Sequence, residues 1–387
     1  MTVAAVVCEY NPFHNGHLKQ FRQIRGRFGE ETPIVCIMSG DFVQRGQPAV
    51  FAKEVRAKAA VECGASLVLE LPVTCALASA EGFAYGAAEI LNRLGVVSHL
   101  CFGSECGDLQ ALTDTAAALE RPDFGAALRR ELEQRDSFAA ARQRALAAIG
   151  VNGACLSRPN DILAVEYCKA LLRLKSAIEP VTFTRAGSYH AQAPERENPS
   201  ATSLRQLDSV SEWKDYVPEA ALACYQDAVI YRQEHGERSV MAVLRRLPDE
   251  AFETVPFGSE GLWRRFRRAC RQEAGVEQII DAVKSKRYAR SRIARMTMCA
   301  YLGLTEADMA AQPPYVRVLA MDERGRQVLA AARETADIPV IHAGQRVKDP
   351  YFDLEQRVES LHELFAPLDQ PLQTVDSHKY RVFYKNK

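Results

Sequence analysis

The sequence of 387 residues has no C-x-x-C pair among its eleven cysteines, so no disulfide or metal framework is legible in their spacing. An odd number of cysteines scattered through apolar runs (Cys36, Cys63, Cys101, Cys168) reads as reduced, buried thiols of a cytosolic protein. There is no excess of charge of either sign, with 49 Lys and Arg against 49 Asp and Glu. Any affinity for nucleic acid must therefore come from local patches. No apolar run is long enough to span a membrane. The first one, Val3 to Cys8, is too short for a signal peptide and has no basic residues before it. Internal repeats and low-complexity tracts are missing as well, which removes solenoids and disordered tails. What remains is the composition of a soluble globular chain, 47% hydrophobic and 25% charged, long enough for two or three domains.

The first two hundred residues alternate two kinds of segment. Short, nearly unbroken apolar runs at Val3–Cys8, Pro33–Met38, Ser66–Leu71, Val96–Phe102 and Pro180–Thr184 read as buried strands. Between them, Leu18–Arg27, Ala52–Cys63 and Ala80–Leu94 carry helical periodicity. This pattern predicts an α/β fold, a Rossmann-like parallel sheet covered by helices on both faces, with ligands bound beyond the carboxyl ends of the strands. Residues 108–150 read as charged helices of a solvated insertion. Asn160 or Asp161 is the expected N-cap of the helix that follows. From residue 209 helical periodicity dominates, with Trp213, Tyr216, Leu222 and Tyr225 as core candidates; a further α/β-like piece follows at Val316–Met321, and the tail is featureless. The expected boundaries are a nucleotide-binding catalytic domain over 1–208 and a mainly helical domain over 209–387.

Chemistry concentrates where the first strand ends. Glu9-Tyr10-Asn11-Pro12-Phe13 breaks the strand, and His14-Asn15-Gly16-His17 opens a helix. Pro12 has no N–H for a strand ladder. Gly16 allows close approach to the backbone, and the helix start offers free N–H groups to an anion. Two histidines three residues apart can donate to phosphate oxygens. A turn that happens to hold two histidines, or a zinc pair, is the plainer alternative, but zinc needs further ligands and none lie nearby. The loop Gly40–Pro48, carrying Arg45, and then Lys53 and Arg56 lie after the second strand, where they could hold substrate or simply be solvated. A second cluster, Ser200-Ala201-Thr202-Ser203-Leu204-Arg205, places hydroxyls and a guanidinium at a helix start, as a phosphate clamp or as an ordinary cap. Residues 186–199 before it form a polar loop with His190. Two basic stretches, with Arg264, Arg265 and Arg268 in one and Lys284, Lys286, Arg287, Arg290 and Arg292 in the other, form a candidate nucleic-acid footprint with interleaved Phe266 and Tyr288.

The first cluster resembles the HxGH signature of the nucleotidylyl transferase superfamily. Taken with Met38-Ser39-Gly40-Asp41-Phe42-Val43-Gln44-Arg45-Gly46, Phe102-Gly103-Ser104-Glu105, Arg158-Pro159-Asn160-Asp161-Ile162-Leu163, the Ser200–Arg205 segment and Lys284–Tyr288, the chain is similar over its whole length to the bacterial tRNA(Met) cytidine acetate ligase family. The resemblance implies an ATP site on Val7, Cys8, Glu9, Tyr10, Asn11, Pro12, Phe13, His14, Asn15, Gly16, His17, Leu18, Lys19 and Gln20, with Gly103, Asn160 and Arg185. It implies His14 and His17 as stabilisers of the reacting phosphate, and Ser200, Thr202, Ser203 and Arg205 as holders of pyrophosphate. It further implies acetate and elongator tRNA(Met) as substrates, N4-acetylcytidine as product, and Mg²⁺ beside ATP, with no metal ligands identified. Asp41 stands where the family pattern has Asn, and Asn198-Pro199 departs from the usual apolar-small pair. Competing readings are a small-molecule nucleotidylyltransferase of the pantetheine-phosphate or nicotinamide-mononucleotide type, and a non-catalytic tRNA-binding protein.

Overall fold

A computed structural model of the chain describes residues 1–134, 137–185, 199–207, 209–342, 344–372 and 381–386. The polar loop expected around His190, and Asn198, lie outside the described residues. Five parallel strands, β1 (Ala4–Cys8), β2 (Ile34–Ser39), β3 (Leu67–Leu71), β4 (His99–Ser104) and β5 (Glu179–Thr184), pair in the order β3-β2-β1-β4-β5. Alternate residues divide between two cores, as a strand period of two requires. Val3, Ala5, Val35, Ile37, Leu67 and Leu69 face one side; Ala4, Val6, Ile34, Cys36, Met38 and Val68 face the other. Burial on both faces is why these runs read as almost continuously apolar.

Helices α1 (Asn15–Phe28) and α2 (Lys53–Glu62) cover the second face; α3 (Ala80–Leu94) and α4 (Pro159–Arg173) cover the first. The 108–150 region is helical, but it is no solvated appendage. Leu112, Ala116, Phe124, Ala127, Ala145 and Leu146 are buried in the same core as the sheet, because small Ala positions let the 109–119 helix pack closely on α4 and the 122–132 and 138–148 helices on each other.

The chain beyond residue 209 takes three paths. Trp213, Val217, Ala221 and Tyr225 pack into the core beneath α1 and α2. Residues 240–304 then build a separate helical core, which includes α5 (Leu262–Gln272), α6 (Val276–Val283) and α7 (Arg290–Leu302). Finally β6 (Val316–Met321) returns to the sheet antiparallel to β3, and β7 (Val340–His342) and β8 (Phe383–Tyr384) pair with β6. The tail that carried no sequence signal thus closes a sheet edge.

Helix α8 (Pro350–His362) lies over that junction. Its Glu355 and Glu359 meet Arg317 of β6 at 2.9 Å, and Glu359 also meets Lys53 of α2. Lys53 in turn binds Glu70 of β3 at 2.8 Å, and all five side chains are buried. All eleven cysteines are free thiols. Among the described residues no helix is long and apolar enough to cross a membrane.

Candidate active site

The strand order reverses between β1 and β4, and a crevice opens at their carboxyl ends, where open α/β sheets bind ligands. One buried side chain shapes this rim. The Arg56 guanidinium donates to the carbonyls of Phe51 (2.9 Å), Glu9 (2.6 Å) and Ser39 (3.0 Å), and also to that of Gly40. It therefore holds the loops after β1 and β2 together, and it and Lys53 point inward rather than toward substrate.

His14 is the N-cap of α1. Its Nδ1 accepts from Gly16 N–H at 3.2 Å, while its own N–H donates to His17 Nδ1 at 3.2 Å. The two imidazoles thus form a capping box of histidines, a role in which Ser and Glu are more usual. Because each Nδ1 accepts, each neutral ring carries its proton on Nε2. The rings stack with centroids 3.7 Å apart. Burial, then the charges of Arg185 and Arg205, lowers His14 to about 3. Burial, His14 and Arg185 hold His17 well below the usual range. Both are neutral N–H donors at physiological pH. A Cβ at Gly16 would stand 3.0 Å from His14 Cε1, so glycine lets the first ring lie across the helix start. Behind the rings, Phe13 N–H donates to Tyr225 Oη at 3.0 Å and Asn15 N–H to the Tyr216 carbonyl at 2.9 Å.

The opposite wall is β4 and the start of α4. Neither Asn160 nor Asp161 is the N-cap of α4; Arg158 occupies that position and its side chain makes no cap bond. Pro159 at the first helical position moves the cap two or three residues earlier than expected. The cap acceptor comes from elsewhere: Glu105 accepts from Asn160 N–H (3.2 Å), Asn160 Nδ2 (2.7 Å) and Asp161 N–H (2.8 Å). Buried Asp161 reciprocates, accepting from Glu105 N–H at 2.7 Å and Cys106 N–H at 3.1 Å. Asn160 Oδ1 then accepts from Arg185 at 3.2 Å, at the end of β5. Asp41 works in the same way for α2. It is buried and accepts from Lys53 N–H at 3.0 Å, which accounts for a carboxylate at that position without a substrate contact.

The resulting cleft, about 230 Å³, is lined by Val7, Cys8, Glu9, Tyr10, Asn11, His14, His17, Gln20, Gly103, Asn160, Arg185, Ser200, Thr202 and Arg205 of the anticipated residues. Gly16 and Lys19 line an adjoining recess with His14 and His17. Pro12, Phe13, Asn15 and Leu18 line neither. Ser203 is also set back: it is buried, its N–H and hydroxyl both bond to Ser200, and it serves the cap of the 201–205 helix. Arg205 donates to the Asn11 carbonyl at 2.6 Å, which joins this segment to the histidine loop. Sequence reading did not single out Phe83, Phe102, Leu163 and Tyr167 as cleft residues. Apolar residues at helix or strand period look like core whether or not a cavity faces them.

The basic stretches separate into engaged and available groups. Arg265 donates to the Ala282 carbonyl at 3.0 Å, Arg287 pairs with Glu260 at 2.9 Å, Arg290 with Asp281 at 3.1 Å, and Arg292 with the Phe257 carbonyl at 2.8 Å. Arg264, Arg268, Lys284 and Lys286 are exposed and make no ion pair among the described residues. A larger chamber of about 640 Å³ lies between the cleft and α6–α7 and shares Gln44, Arg45, Leu163, Thr202 and Arg205 with the cleft.

The HIGH Nucleotidyl Transferase family matches residues 1–376. A tRNA(Met) cytidine acetate ligase of Acetivibrio thermocellus is 34% identical over 365 residues, 88% of each chain. That of Clostridium kluyveri is 37% identical over 364 residues, covering 88% of this chain and 89% of its own. The crystal structure of Thermotoga maritima TmcAL superposes with a TM-score of 0.90 at 30% identity over 100% of both chains. The form of that protein bound to alpha-thio ATP superposes with a TM-score of 0.88. The chain belongs to the tRNA(Met) cytidine acetate ligase family of the HIGH nucleotidyl transferases.

Proposed function

We propose that the chain joins acetate to the wobble cytidine of elongator tRNA(Met) at the expense of ATP. The observation that carries this reading is the pair of neutral imidazoles whose Nε2 protons are left for the cleft. An acetate oxygen attacks the α-phosphorus of ATP, the bond to the bridging oxygen breaks, and pyrophosphate leaves. His14 and His17 donate to the phosphate oxygens on which charge develops. Such preorganised donors are worth most in a site shielded from water. Arg185, Arg205 and Thr202 meet the departing phosphates; Ser203 acts by holding Ser200. In the second step the exocyclic amine of cytidine attacks the acetyl carbonyl, AMP leaves, and the amine loses a proton. No protein nucleophile is required. The target base must be splayed out of its stack to reach the acetyl group, and Arg264, Arg268, Lys284 and Lys286 are the groups available to hold the RNA backbone.

Magnesium would enter on the triphosphate. Glu9 is the one carboxylate lining the cleft among the described residues, so the phosphates would supply most of its ligands. Free thiols suit the reducing cytoplasm. ATP–pyrophosphate exchange tests the first step. Exchange that depends on acetate is expected; exchange indifferent to acetate would point to a phosphorylated small molecule as acceptor.

A further inference from the structure

Arg295 of α7 stands apart from the other arginines of the helical region. It lines the large chamber, its Nε is buried without a hydrogen-bond partner, and no carboxylate pairs with it among the described residues. The Phe257 ring lies 5.1 Å from its guanidinium carbon. Burial, with Arg292 as a smaller influence, lowers its pKa to about 10, so it stays charged at neutral pH without a counter-ion. An uncompensated, half-buried cation on a cavity wall calls for an anion.

The chamber's position says which anion. Its neighbour is the hairpin of Phe42–Val43 and Gln47–Pro48, which docks on α7 so closely that a Cβ at Gly46 would overlap the Ala294 carbonyl carbon and the Arg295 nitrogen. Gly46 has φ +73, so the contact needs glycine on two grounds. Gln44 and Arg45 of the same loop line both chamber and cleft, which makes the two continuous. At about 640 Å³ the chamber can take a nucleotide with a flanking phosphate. Among the described residues the only carboxylate on its wall, Glu277, is already paired with Arg290.

We propose that this chamber is the port through which the RNA strand enters, and that Arg295 holds a backbone phosphate next to the splayed cytidine. The proposal rests on the acetate-ligase reading for its substrate, and Arg295 acts as a positioning residue.

The test uses the full chain, unmodified tRNA(Met), and the variants Arg295→Met and Arg295→Lys. Methionine keeps the apolar stem over Phe257 and removes the charge. RNA affinity, measured without ATP across a salt series, should weaken about tenfold in Arg295→Met, the effect of one charge-assisted contact. The slope of log Kd against log salt should shrink by about 0.7 for one lost single-strand phosphate contact. Arg295→Lys should recover most of both. Acetate-dependent exchange without tRNA should stay within about twofold of the parent, since a tenfold loss there would need the 1.4 kcal/mol of a direct nucleotide contact. Unchanged RNA affinity and salt slope in Arg295→Met would overturn the proposal. So would equal loss in both variants with a lowered melting temperature, which would mark a structural role. Absence of exchange in the parent protein would instead remove the acetate-activation reading, while the RNA measurement would still decide the role of Arg295.

Discussion

His14 does two jobs with two nitrogens. Nδ1 caps α1, and Nε2 keeps a proton for the cleft. The jobs can be separated. In His14→Asn the amide oxygen can replace Nδ1 as cap acceptor, but nothing replaces the Nε2 donor. His14→Ala removes both. Both variants should lose exchange activity by about a hundredfold, the scale of one preorganised donor, while only His14→Ala should also lose about 1 kcal/mol in urea unfolding. Equal stability of the two would contradict the capping role. The lowered pKa gives a second prediction. In the unfolded chain His14 protonates near 6.5, and in the folded protein near 3. The unfolded state therefore binds more protons in that window, and stability falls as pH drops through it. Between pH 7 and pH 5 the parent should lose about 2 kcal/mol more than His14→Asn, which has no group to titrate there. The H-x-G-H pattern was legible in the sequence because spacing, strand and helix start all coincide. The tautomer was not, since it depends on hydrogen bonds that only the folded loop makes. Ser203 shows the converse: a hydroxyl beside other hydroxyls looks like a ligand, yet the fold spends it on a cap.

Two helix starts at the rim are capped by carboxylates from other elements, Glu105 for α4 and Asp41 for α2. Sequence proximity suggested local caps at Asn160 or Asp161, and no local pattern reveals an acceptor 55 residues away. The parallel strands and α1–α3 were readable because burial on both faces leaves a continuous apolar signature. The Glu105–Asp161 exchange fixes Asn160 and, through it, Arg185. Glu105→Ala leaves three N–H donors without an acceptor. It should destabilise the protein by about 2 kcal/mol and raise the KM for ATP more than it lowers kcat. A change in stability with no change in KM would mean that the clamp serves the fold alone.

Across the whole molecule, the chain leaves the sheet, builds a helical core, and comes back to pair β6 with β3. The piece at Val316–Met321 was visible as α/β, but its partner was not, because an antiparallel return to a parallel sheet carries no local mark. Buried charges hold the junction. Burial opposes a charge on Lys53, yet Glu359, Glu70 and Asp41 raise its pKa well above the usual value. Lys53→Met would take the cation from Asp41 and leave Glu70 and Glu359 to share Arg317, and unfolding in urea at pH 7 should show a loss of about 4 kcal/mol. A loss under 1 kcal/mol would show that the cluster adjusts by protonation.

The most direct measurement follows radiolabelled acetate into unmodified tRNA(Met) in the presence of ATP, with His14→Ala and an acetyl-CoA-only reaction alongside. The geometry of the cleft predicts ATP-dependent label on N4 of the wobble cytidine, with none from acetyl-CoA and little from the variant. ATP binding without label on the RNA, or equal labelling by His14→Ala, would contradict it.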